Sequence, residues 1–146
     1  MMNMSNELLK LENQLCFSLY ATTRQMTKIY RPLLKELDIT YPQYLALLVL
    51  WEVDKISVKA MGERLFLDSG TLTPMLKRME EHGLIKRVRS AADERVVEVS
   101  LTKKGKEAEE KAGSIPINFY KHLNLEEEEF FQLKTILSKM MGRFGE

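Results

Sequence analysis

Leu67-Asp68-Ser69-Gly70-Thr71-Leu72-Thr73-Pro74-Met75-Leu76-Lys77-Arg78-Met79-Glu80 runs up to Gly83, and after it the hydrophobic period changes. Before Gly83 the apolar positions Leu72, Met75, Leu76 and Met79 recur at three and four residues, the spacing of one helix face. After it, Arg95 to Leu101 alternates, with Val97, Val99 and Leu101 on one side and Glu98 and Ser100 on the other, the spacing of a strand. Asp68 and Ser69 are strong helix caps, so the helix starts at about Gly70 and runs to His82, with Pro74 tolerable only near its start. Gly83 ends it by accepting the left-handed conformation. Leu84 to Arg89 and Arg95 to Leu101 then form a hairpin around a charged turn, Ser90 to Glu94.

Upstream, Ser57 caps a short helix over Val58 to Phe66, so that two helices meet across the Leu67–Gly70 break. Further back, Thr40 and Gln43 stand at capping-box spacing with Pro42 in the first turn. The helix they begin is apolar nearly all round through Trp51, which places it at the centre of the domain. Leu8, Leu11, Leu15, Leu19, Met26, Tyr30, Leu33 and Leu37 give a helical stripe that Pro32 should bend or interrupt. Downstream, Thr102 caps a helix to Lys111, Pro116 interrupts, and Asn124 with Glu127 is read as a last cap. Phe130, Leu133, Leu137, Met140 and Phe144 follow at helical spacing. Leu8–Leu19 and Phe130–Phe144 are apolar stripes, and a second copy of the chain is their expected cover, the alternative being that these helices fold back on their own domain.

The whole chain is 146 residues, one domain by length. Its longest apolar run, Tyr44 to Trp51, is eight residues, far short of a membrane span. Met1 to Gln14 carries Glu7 and Glu12 and lacks the apolar block of a secretory leader. Cys16 is the single cysteine, so neither an intrachain disulfide nor a cysteine zinc site can form. A cytoplasmic protein without metal or cofactor is expected. Net charge is +1, but it is uneven: residues 55–104 carry 11 basic and 7 acidic side chains, while both flanks are net acidic. The surplus positive charge thus lies on the helix–break–helix and hairpin, as on a nucleic-acid-binding face.

The expected fold is mainly α with a small β-hairpin wing, a winged helix-turn-helix. The second helix of such a unit fits the major groove of DNA, about 12 Å wide. Its exposed positions are Ser69, Thr71, Thr73, Lys77 and Arg78, with Arg78 the candidate for a bidentate contact to guanine. Lys86, Arg87, Arg89 and Arg95 on the wing suit phosphates or the minor groove.

The stretch Leu67 to Glu80, Gly83-Leu84-Ile85 and Asp93-Glu94-Arg95 together resemble the MarR family of bacterial repressors. Leu11-Glu12-Asn13-Gln14-Leu15-Cys16-Phe17-Ser18-Leu19-Tyr20 and Thr40-Tyr41-Pro42-Gln43-Tyr44 are similar to its organic-hydroperoxide-sensing branch, OhrR. The likeness runs from about Leu11 to Thr102. It implies a homodimer on a near-palindromic double-stranded operator. Residues 1–37 and 103–146 would be dimerisation helices, and 55–102 the DNA-binding lobe of the single 1–146 chain. It implies that Arg95 is a wing-tip arginine oriented by Asp93. It also implies that Cys16 is a peroxide sensor whose sulfur accepts hydrogen bonds from Tyr30 and Tyr41 across the dimer, with Tyr20, at i+4, lining the same pocket. With one cysteine, the resolving thiol must be an external low-molecular-weight one, as in the one-cysteine branch.

Three other functions are compatible with parts of the sequence. A thiol peroxidase lacks support: Asn13 stands where such sites place a threonine, and the chain has no βαβ alternation. A MarR-type repressor gated by a small aromatic ligand, with Cys16 structural, is the main alternative. A metal sensor would need His82 and His122, the only two histidines, and His82 beside Gly83 reads as a helix C-terminal residue.

Overall fold

The computed structural model describes residues 4–144. Met1–Asn3 of the leader argument and the Phe144 side chain of the terminal stripe lie outside the described residues. The elements follow in the order α1 Met4–Leu8, α2 Leu15–Leu34, α3 Tyr41–Glu52, β1 Lys55–Ser57, α4 Val58–Leu65, α5 Ser69–Glu81, β2 Ile85–Arg89, β3 Val97–Leu101, α6 Lys103–Ala112, α7 Ile115–Lys121 and α8 Glu127–Phe144. This is the winged helix-turn-helix expected from the periodicity.

The caps explain most boundaries. Gln43 N–H donates to Thr40 Oγ1 and Thr40 N–H donates to Gln43 Oε1, closing the capping box of α3. Ser57 Oγ, Asp68 Oδ1 and Thr102 Oγ1 each accept an N–H three residues on, opening α4, α5 and α6. Ala46, Leu47 and Leu50 of α3 are buried, and Met61, Leu72, Leu76, Met79, Ile85 and Val99 close around them. The apolar helix is thus the centre of the lobe.

Five local expectations change. The helical stripe from Leu8 is not one helix: it breaks over residues 9–14, and α2 starts at Leu15. There Gln14 Nε2 donates to the carbonyls of Leu8 and Lys10, and Asn13 Nδ2 to that of Glu7, so side chains satisfy carbonyls left open at the end of α1. Pro32 lies inside α2, and the α-helix gives way two residues later to a 3₁₀ turn over Lys35–Leu37. The hairpin gains a third strand, β1, with Ile56 opposite Val99; three residues are too short to show alternation. Pro116 does not only interrupt: it occupies the first turn of α7, where its missing N–H costs nothing. Asn124 is not the cap of α8. It is left-handed, at φ 54°, and Glu126 N–H donates to Glu129 Oε1 instead.

The tight turn between α4 and α5 depends on Gly62. A Cβ there would come within 2.5 Å of the Leu67 carbonyl oxygen, a backbone atom that cannot step aside. Gly62→Ala is expected to destabilise the lobe by about 1–3 kcal/mol, the usual cost of overpacking, read as a lower midpoint in urea unfolding.

The lobe is closed but the ends are not. Leu8, Leu11 and Leu15 are each more than 60% exposed, as is Ile117, and Phe131 and Ile136 are nearly so. The chain exposes 10978 Å², where a compact monomer of this mass exposes about 7,700 Å².

Candidate nucleic-acid interface and sensor cluster

α5 projects Ser69, Thr71, Thr73, Lys77 and Arg78 to solvent while Leu72, Leu76 and Met79 anchor it. Asp68 fixes its N-terminus through the Thr71 N–H at 2.7 Å, and that bond holds the Asp68 carboxyl below its ordinary range. The free N–H groups of this helix end and its hydroxyls make a surface suited to phosphate oxygens or base edges.

At roughly 100° per residue, Ser69, Thr73 and Glu80 lie on one flank of α5, and Thr71 and Arg78 lie roughly 140–180° away on the other. The first flank faces the wing. There a crevice of roughly 350 Å³ is lined by Ser57, Val58, Lys59, Ser69, Thr73, Leu76, Arg87, Arg95, Val96 and Val97. The second flank faces a hollow that includes Arg31, Lys35, Asp38, Thr40, Arg78 and His82.

The wing residues divide by task. Arg95 stands at the tip, its side chain 91% exposed. Its N–H, Nε and Nη2 donate to the Asp93 carboxylate at 3.0, 3.2 and 3.4 Å, which keeps that carboxyl below its ordinary range. Arg89 Nη1 donates to the Glu94 carbonyl and braces the tip from below. Lys86 is exposed on β2. Arg87 is engaged within the lobe: its N–H and Nη2 donate to Glu80 at 2.9 and 3.3 Å, tying β2 to the end of α5. Its Nε is buried and has no partner among the described residues.

The proposed sensor residues are also placed. Cys16 is exposed in the first turn of α2, and Tyr20 is exposed one turn on, its ring 4.9 Å below the Arg24 guanidinium. Tyr30 and Tyr41 are together, ring centroids 4.7 Å apart. Tyr44 joins them at 5.8 Å from Tyr30, and Phe119 of α7 stacks on Tyr30 at 4.2 Å and 16°. Burial raises all three phenols above their ordinary value, with neighbouring tyrosines adding to the effect for Tyr30 and Tyr44. They therefore stay protonated donors at neutral pH. Cys16 is not in this cluster within one protomer. It lies fourteen residues from Tyr30 on one continuous helix, an axial distance of about 21 Å.

Residues 28–112 match the family model described as transcriptional regulator SarA/Rot. The organic hydroperoxide resistance transcriptional regulator of Bacillus subtilis (strain 168) is 58% identical over 133 residues, 91% of this chain and 90% of that protein. The solved structure of reduced AbfR bound to DNA, a protein of Staphylococcus epidermidis, is 36% identical with a TM-score of 0.81, covering 97% of this chain and 96% of that one. Wild-type MarR of E. coli is 27% identical with a TM-score of 0.69, over 87% and 96%. The chain belongs to the MarR family of transcriptional regulators. Its relatives and structural neighbours are DNA-binding regulators rather than enzymes.

Lys59, Tyr44 and Phe119 belong to these sites although no sequence signal marks them. Lys59 faces the crevice from α4, but its place in a short mixed-charge helix looks like any solvated lysine. Tyr44 sat inside the apolar run and read as core, which it is, at 3% exposure; only the tertiary packing shows that it also backs Tyr30 and Tyr41. The histidines do not meet: His82 lines the α5 hollow, and His122 Nδ1 is 2.7 Å from the Asn118 carbonyl. Among the described residues no three His, Cys, Asp or Glu could hold a metal ion, and no helix is long and apolar enough to cross a membrane.

Proposed function

We propose that this MarR-family protein is a homodimeric repressor that holds a near-palindromic operator while Cys16 is reduced and releases it when an organic hydroperoxide oxidises that residue. The observation that carries the reading is the separation of Cys16 from its tyrosines. A thiol about 21 Å along a rigid helix from a ready-made cluster of protonated phenols can meet such a cluster only on another copy. The N-terminal end of that helix lies beside apolar surface that the protomer leaves open, at Leu8, Leu11, Leu15 and Phe17. The protomer exposes about 3,300 Å² more than a compact monomer of its mass, open surface that a second copy would cover in part. Residues 1–37 and 103–146 would form the dimer, and 55–102 the DNA-binding lobe. The name of the Bacillus relative supports hydroperoxide as the signal.

The chemistry is balanced without a second cysteine. The Cys16 thiolate, the reactive form, attacks the distal oxygen of the hydroperoxide. The O–O bond breaks, the alcohol leaves with a proton, and a sulfenic acid remains. An external low-molecular-weight thiol then displaces water from it to form a mixed disulfide. A gel shift on the DNA upstream of the chain's own gene, with and without an organic hydroperoxide and an added thiol, tests the reading: the shift should disappear only with peroxide.

Ser69, Thr71, Thr73 and Lys77 would face the major groove, with Arg89 and the Asp93-oriented Arg95 on the minor groove or its phosphates. Arg95→Ala is expected to lower the slope of log K against log salt by about 2 for the dimer, one contact per half-site. Titrations between 50 and 200 mM salt would measure this, and an unchanged slope would remove Arg95 from the interface.

A second reading has its own observation. The crevice between α5 and the wing has apolar walls of Val58, Leu76, Val96 and Val97 with Arg87 and Arg95 at its polar side, a shape fit for a small aromatic acid. On that reading Cys16 is structural, and Cys16→Ser protein would still respond to its inducer.

A further inference from the structure

Phe119 lies on α7 one turn after Ile115, so the two side chains share a face of that short helix. Ile115 is 3% exposed and belongs to the buried core, to which it ties α7. Phe119 is half-buried and stands outside that core. Its ring lies instead on Tyr30, centroids 4.2 Å apart and planes 16° from parallel. Tyr41 is 4.7 Å from the same Tyr30 ring and tilted by 34°. Two rings cannot share one face at such distances, so Tyr30 is held between Phe119 and Tyr41. The side-chain hydrogen bonds among the described residues include none from the Tyr30 hydroxyl. Within the protomer, ring packing therefore sets where that hydroxyl points, since a phenol carries its oxygen on the ring axis.

We infer that Phe119 is a positioning residue of the peroxide sensor: it holds the Tyr30 ring so that its hydroxyl meets the thiolate of Cys16 in a second copy of the chain. This role rests on the sensor reading and adds a residue to it. Phe119 acts through Tyr30 and takes no part in the bonds made or broken. A phenol that turns on its helix stays protonated, but a donor that misses the sulfur in distance or angle no longer stabilises the charged form. The thiolate is the form that attacks the peroxide. Phe119 therefore governs the rate of the first oxidation step and its dependence on pH, and not the binding of DNA by the reduced protein.

The test is the rate at which cumene hydroperoxide oxidises Cys16 in the full chain, followed across the neutral pH range by trapping the sulfenic acid with dimedone. Phe119→Ala is expected to slow oxidation about 10-fold at neutral pH, the loss given by one misdirected charge-assisted bond. Its pH–rate profile should move to higher pH. Phe119→Tyr keeps the flat ring and should stay within about twofold of the parent. In the Tyr30→Phe background, where no hydroxyl is left to aim, Phe119→Ala should add nothing. The reduced variants should sediment and bind the operator as the parent does. If Phe119→Ala does not fold or dimerise, Phe119→Leu, which refills most of the space without a flat face, carries the same measurement. Failure of both to fold would make Phe119 a structural residue and overturn the positioning role. A parent-like rate for Phe119→Ala would overturn it too, as would an equal slowing on top of Tyr30→Phe. Parent-like oxidation of Tyr30→Phe protein, or release of Cys16→Ser protein by peroxide, would instead remove the sensor reading beneath it.

Discussion

Cys16→Ser protein is expected to bind its operator as the parent does and to stay bound when an organic hydroperoxide and a thiol are added. The two switch costs explain why the effect should be close to all-or-none. A mixed disulfide places a bulky polar group in a packed interface, where overpacking costs about 1–3 kcal/mol. It also removes a sulfur acceptor from phenolic donors, and charge-assisted bonds contribute about 1.5–3 kcal/mol. Together these approach the roughly 5.5 kcal/mol that moves a two-state equilibrium from nearly all bound to nearly all free, and a dimer carries two such sites. Tyr30→Phe and Tyr41→Phe protein should still bind DNA but release it more slowly after peroxide, because fewer donors hold the thiolate. Burial keeps these phenols protonated, so the donors are present throughout the neutral range. Release of Cys16→Ser protein by peroxide under conditions that release the parent would end the sensor reading and favour the crevice ligand.

Introducing charge into the open apolar surface should have the second large effect. Leu15→Glu and Ile136→Asp alter side chains that are 63% and 57% exposed in the protomer, so the protomer alone gives no reason for either to matter. In a dimer joined through its terminal helices, each would bury two unpaired carboxylates. The expected outcome is a monomer, or an unfolded chain, by sedimentation at micromolar concentration. Operator affinity should fall by about 10²–10⁴, because a two-lobe complex loses the effective concentration of its second lobe. The parent should sediment as a dimer whose lobes span half-sites about 34 Å apart, one helical turn of DNA. A parent that is a stable folded monomer at that concentration, or variants that dimerise and bind normally, would place the interface elsewhere.

Much of the DNA-binding lobe was legible because its signals are local. Capping residues act over three positions, so Thr40, Ser57, Asp68 and Thr102 each mark a helix start without reference to the rest of the chain. The change of period at Gly83, which is left-handed at φ 77°, separates recognition helix from wing by the same local logic. The limits of that logic lie in the short or non-local pieces. Three residues of β1 cannot display a period, and its strand character comes from β3 beside it. Asn124 is a good cap by type, yet Glu129 reaching back to Glu126 decides where α8 begins.

The candidate sites divide in the same way. From sequence alone come the chemical inventory and its order along the chain: one thiol, tyrosines at 30 and 41, hydroxyls and cations on one exposed helix face, and an Asp93–Arg95 pair two residues apart at a hairpin tip. Proximity between distant elements belongs to the tertiary structure. It gathers Tyr44 and Phe119 around Tyr30, because α3 and α7 both pack against α2. It turns Arg87 inward to Glu80 while leaving Arg95 outward, since only packing tells which of two wing arginines meets a helix end. It also sets Arg31 and Lys35 beside Arg78, more than forty residues apart in the chain, because a hydrophobic core between the helices brings their polar ends to one surface.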